Sequence, residues 1–126
     1  MKEKLKEYFK NTYAPYSKYE VVACVVTKDN KEFYGVNIEN ISYGATICAE
    51  RVAVNTAIAN GYRKGDFKAL YVMTKNELSY PCFLCRQTIS EFFTGEEDLI
   101  LYSLNEENNY KIKDIITKPF ISKEVQ

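Results

Sequence analysis

Two short elements, Cys48-Ala49-Glu50 and Pro81-Cys82-Phe83-Leu84-Cys85, restrict the folds open to this chain more than any other feature. Three thiolates can hold a zinc ion and leave its fourth tetrahedral position open. Any fold that uses them so must carry Cys48 to the Cys82/Cys85 pair from well apart in the sequence. Within the pair, two intervening residues let both sulfurs reach one ion from a single turn. Histidine is absent, which removes Ser–His, Cys–His and His–metal schemes together. Sulfur must then carry any transition-metal binding, and zinc is the ion that suits it.

The surrounding pattern predicts alternating strands and helices. Residues 2–12 place Leu5, Tyr8 and Phe9 at helical spacing among charges, and residues 13–17 break that helix. Residues 20–28 are β-branched and apolar, 29–30 suit a tight turn, and 31–37 return as the second arm of a hairpin. A polar loop at 40–45 leads to a helix over 48–60, closed by Gly61. A core strand over 68–74 follows, with Pro81 in the first turn of a helix over 82–93. A strand at 98–103 and a short strand and helical turn near 112–117 complete the order. Such alternation calls for helices packed on the faces of a mixed sheet, antiparallel at the hairpin and parallel across the helical crossovers.

On this reading both cysteine elements open helices, where free N–H groups and partial positive charge stabilise thiolates. Glu50 stands beside the first thiolate and could move protons for a metal-activated water. Three thiolates leave zinc with excess negative charge, and Arg51, on nearly the same helical face as Cys48, could offset it. Asn37 and Glu39 alternate onto one side of the second strand's end, an amide and a carboxylate suited to a sugar hydroxyl. Blander readings stand beside these. The Cys-x-x-Cys pair could be a redox pair, Arg51 a surface cation and Glu50 a solvated first-turn carboxylate. Cys24, mid-strand in an apolar run, reads as core packing; as a fourth ligand it would close the site.

A length of 126 residues suits a single domain spanning 1–126. Basic and acidic residues number 17 each, which disfavours a polyanion-binding role and fits a small substrate. No segment approaches the roughly 20 apolar residues of a membrane span, and no signal-peptide core is evident. The expectation is a cytoplasmic protein with neither membrane nor nucleic-acid partners.

The chain closely resembles the small zinc-dependent cytidine deaminases. The resemblance rests on Tyr13-Ala-Pro-Tyr-Ser-Lys-Tyr19, Asn37-Ile-Glu-Asn-Ile-Ser-Tyr-Gly44, Thr46-Ile-Cys-Ala-Glu-Arg51 and Pro81-Cys-x-x-Cys-Arg-Gln87. It implies a three-layer α/β/α fold around a five-stranded mixed sheet, usually as a homotetramer. It implies one zinc per chain on Cys48, Cys82 and Cys85, with Glu50 as the proton shuttle. Asn37 and Glu39 would hold the ribose 3′-hydroxyl, and Tyr19 would stack on the base where phenylalanine is usual. The Ala49 N–H would meet the 2-oxo group and the Tyr80 carbonyl the departing amine. Phe120 resembles an aromatic that family members extend into a neighbouring subunit's site. The implied reaction is hydrolytic deamination of cytidine and deoxycytidine in pyrimidine salvage. A modified nucleoside or aminonucleoside antibiotic is the alternative substrate, and a noncatalytic zinc module or redox protein the alternative class. The chain differs from the family pattern at Phe83-Leu84, where Gly-Ala is usual, and at Val22-Ala23-Cys24, where Gly-Ala-Ala is typical.

Overall fold

A computed structural model describes residues 1–122; residues 123–126 of the expected 1–126 domain lie outside the described residues. Five strands, β1 (Val22–Thr27), β2 (Glu32–Val36), β3 (Phe67–Met73), β4 (Asp98–Tyr102) and β5 (Glu107–Lys111), form one sheet in the order β2-β1-β3-β4-β5. The β1/β2, β1/β3 and β4/β5 pairs are antiparallel, and β3/β4 is parallel. Both helical crossovers therefore join strands that run the same way, as expected, but the first steps over β1. Helices α2 (Ala49–Ala59) and α3 (Phe83–Phe92) are those crossovers, while α1 (Lys2–Glu7) precedes the sheet.

The interior strand β1 is buried at all six positions because it has strands on both edges and packing on both faces. Its alternation divides the core. Ala23 and Val25 join α2, Leu70, Val72, Ile89, Leu99 and Leu101 on one face. On the other, Val22, Cys24 and Val26 meet Leu5 and Met73 under α1. The result is the three-layer α/β/α arrangement, with the face under α1 the thinner.

Three local expectations are refined. The helix read over 2–12 is α-helical only to Glu7 and tightens to a 3₁₀ turn over Tyr8–Asn11. There the Tyr8 ring stacks on Tyr34, centroids 4.2 Å apart, and the Thr12 N–H donates to the Phe9 carbonyl. The second strand ends at Val36, so Asn37 lies beyond it. Pro81 stands outside α3 rather than in its first turn. Cys82 is the N-cap with extended backbone, and the Pro81 carbonyl accepts from Arg86 Nε at 2.7 Å.

Candidate metal centre and active-site cleft

Cys48 and Cys82 occupy the N-cap positions of α2 and α3, both with extended backbone (ψ 151° and 168°). That position is usually given to Ser, Thr, Asp or Asn, whose oxygen bonds a free helical N–H. Neither cysteine makes such a bond. Their sulfurs instead face each other at 3.6 Å, and Cys85, one turn into α3, brings its sulfur 3.5 Å from that of Cys82. All three Sγ atoms lie within 4.8 Å of one another. Thiolates on a tetrahedral zinc, at about 2.3 Å from the metal, stand about 3.8 Å apart. The donor set thus fits a single zinc ion. Cys24 is fully buried in the core under α1 and belongs to no such group among the described residues, in keeping with a packing role.

Close packing of α2 on β2 sets this geometry. At Gly35 of β2 a Cβ would fall 2.3 Å from the Ala49 carbonyl oxygen and 2.5 Å from the Ala53 nitrogen. Only glycine lets the first turn of α2 approach so near.

The electrostatics follow from the same convergence. Cys48 is pulled down to about 5, chiefly by hydrogen bonding from Cys85, then by Arg51 and Cys82 against the opposing pull of burial. Cys85 is pushed well up by its bond to Cys48 and by burial. Arg51 Nη2 lies 3.6 Å from Cys48 Sγ and 3.5 Å from the Thr46 carbonyl. Its Nε is buried with no hydrogen-bond partner among the described residues. Glu50, 6% exposed, is pushed up to about 7 by burial, with Cys48 adding to the rise.

Cys48, Cys82, Ala49 and Glu50 line one cleft of about 200 Å³ together with Tyr19, Asn37, Glu39 and Tyr80. Asn37 accepts from the Val21 N–H at 3.1 Å and donates to the Tyr19 carbonyl at 2.7 Å. Tyr80 turns its hydroxyl out of the cleft to Tyr110, 2.7 Å away. Phe120 is not in the cleft of its own chain: it is 86% exposed, and its backbone N–H and carbonyl bond the Gln87 side chain beside α3. Ser17, Val21, Thr46, Ile47 and Ser79 also line the cleft, and sequence reasoning gave none of them a role. Ser17 lies inside the quoted Tyr13–Tyr19 element, which is the one signal that could have found it.

The pattern of the cytidine and deoxycytidylate deaminase zinc-binding region matches residues 1–101. The chain belongs to that family. This deaminase is 39% identical over 102 residues to the cytidine deaminase of Mycoplasma genitalium, covering 81% of this chain and 76% of the relative. It is 40% identical over 109 residues to that of Mycoplasma pneumoniae, covering 86% and 80%. Among solved structures, the cytidine deaminase from Burkholderia pseudomallei superposes on the deaminase fold described here with a TM-score of 0.88. The two share 37% identity over 94% of each chain. Among the described residues, no helix of the deaminase is long and apolar enough to cross a membrane.

Proposed function

We propose that this chain hydrolyses the 4-amino group of cytidine and deoxycytidine, releasing uridine or deoxyuridine and ammonia. The observation that carries the reading is one cleft lined by the buried Glu50 carboxyl, by two of three converging cysteine sulfurs and by the Asn37/Glu39 pair. A zinc ion held by Cys48, Cys82 and Cys85 would supply the Lewis acidity that makes water a nucleophile near neutral pH. Arg51 offsets the negative charge of the thiolates. Glu50 takes a proton from the attacking water, protonates N3 of the base and then serves the departing amine. A carboxyl near 7 suits both directions of transfer, because neither protonation state is strongly preferred.

The other residues hold the substrate. The Ala49 N–H, in the first turn of α2, has no partner within its own helix and meets the 2-oxo group. The Tyr80 carbonyl receives the amine, and the Tyr19 ring lies over the base. Asn37 retains one N–H and one lone pair beyond its bonds to Tyr19 and Val21. With Glu39 it holds the ribose 3′-hydroxyl. The reading includes a single domain over 1–126, a cytoplasmic place, a role in pyrimidine salvage and a homotetramer. Phe120 would reach into a neighbouring copy. Exposure of Ile41, Tyr43, Phe83 and Leu84, each 65% or more, supports burial of these faces between copies. Balanced charge supports the absence of a nucleic-acid partner.

The test is loss of ultraviolet absorbance from cytidine and deoxycytidine by purified protein of measured zinc content. Conversion of both with about one zinc per chain is the expected result. Bound zinc without conversion of either would overturn it.

A further inference from the structure

Ser17 links two parts of the cleft that the sequence treats separately. Its hydroxyl donates to Glu39 Oε2 and accepts from the Tyr19 N–H at 3.0 Å. Glu39 Oε1 takes the backbone N–H groups of Tyr16 at 3.0 Å and Ser17 at 3.1 Å. The carboxylate is thereby clamped from three directions onto a turn closed by the Lys18 N–H to the Ala14 carbonyl. Lys18 itself sits at φ 62°, in the left-handed region. A carboxylate offers about four acceptor positions. With two taken on Oε1 and one on Oε2, about one remains, on the oxygen that Ser17 holds.

We infer that Ser17 is a positioning residue for sugar recognition: it orients Glu39 Oε2 to accept a single ribose hydroxyl and ties that orientation to the segment carrying Tyr19. The inference rests on the nucleoside reading above. Ser17 touches neither Glu50 nor the thiolates, so its effect falls on substrate binding and not on the proton transfers. A charge-assisted hydrogen bond that fixes an acceptor changes affinity by about tenfold.

The experiment compares kcat and KM for cytidine and 3′-deoxycytidine in the zinc-loaded wild type, Ser17→Ala, Ser17→Thr and Glu39→Ala, with melting temperature recorded for each. Ser17→Ala should raise KM for cytidine about tenfold, leave kcat within about twofold, and change KM for 3′-deoxycytidine less than about twofold. Ser17→Thr, which keeps the hydroxyl, should restore most of the cytidine affinity. On a Glu39→Ala background, Ser17→Ala should cost nothing further, since the two act as one unit. Equal losses on both substrates, or additive losses in the double variant, would overturn the assignment while leaving the deaminase reading intact. Wild-type protein that turns over neither nucleoside would overturn both. Should Ser17→Ala fail to fold, Ser17→Thr and Glu39→Ala still decide: if Glu39→Ala weakens both substrates alike, the sugar role is wrong.

Discussion

Gly35 lies directly under the first turn of α2, so close that an added Cβ would meet the Ala49 carbonyl oxygen at 2.3 Å. Backbone cannot yield as a flexible side chain can, so Gly35→Ala must push α2 outward and move Cys48 and Glu50 with it. Overpacking of this kind costs about 1–3 kcal/mol. The expected outcome is a lowered melting temperature together with weaker zinc retention against a competing chelator. A variant with unchanged metal affinity would show that α2 is not held in place from this position.

Removing one sulfur of the converging set should remove the metal. Cys82→Ala is expected to reduce zinc from about one per chain to near zero, read by atomic absorption, with activity lost in parallel. Cys24→Ala should keep its full zinc content and lose only about 1 kcal/mol of packing, because Cys24 lies in the core under α1. Full metallation of Cys82→Ala would mean that the ligand set is wrong.

Glu50→Gln keeps the shape of the buried side chain and deletes its ability to exchange a proton. General acid–base catalysis contributes about 10²- to 10⁴-fold, so kcat should fall by at least about a hundredfold with zinc retained. Turnover within tenfold of wild type would remove Glu50 from the proton-transfer role.

Acid stability should carry a contribution from Glu20. Lys75 Nζ lies 2.7 Å from Glu20 Oε1, and Thr12 Oγ1 donates to Oε2 at 2.6 Å. The Lys75 bond first and the Thr12 bond second hold this carboxyl below its ordinary 4.5. A depressed value in the folded state means that stability is fully present above about 4.5 and is lost as pH falls through the lower, folded value. Glu20→Gln should thus lower the unfolding free energy read from urea titration slightly at pH 7, by no more than about 1 kcal/mol, and flatten its decline in acid. An unchanged acid profile would assign that decline to other carboxylates.

The metal-centre residues were legible because their chemistry is local: Cys-x-x-Cys spacing, a carboxylate two residues from Cys48, and helix starts marked by alanine-rich and Pro-preceded segments. Gly61 was legible as a helix stop, and its φ of 97° is one that side-chain-bearing residues rarely adopt. Ser17 was not legible, since a serine in a turn has the same local character whether or not a carboxylate lies above it. Phe120 carries no mark in sequence of where in the fold it lies. Its position outside its own cleft comes from the paired bonds to Gln87, 33 residues away.

Taken alone, the sequence determined which side chains are candidates to carry chemistry, and it determined the succession of strands and helices, because both depend on residue type and short-range periodicity. The placement of β1 between β2 and β3 was decided by tertiary structure, through burial of both faces of one apolar strand. So was the 3.6 Å meeting of Cys48 and Cys82, which needs two helix ends brought together by one sheet and a glycine that lets α2 lie against it. Contacts between distant segments arise from packing in three dimensions, and no local pattern encodes their distances.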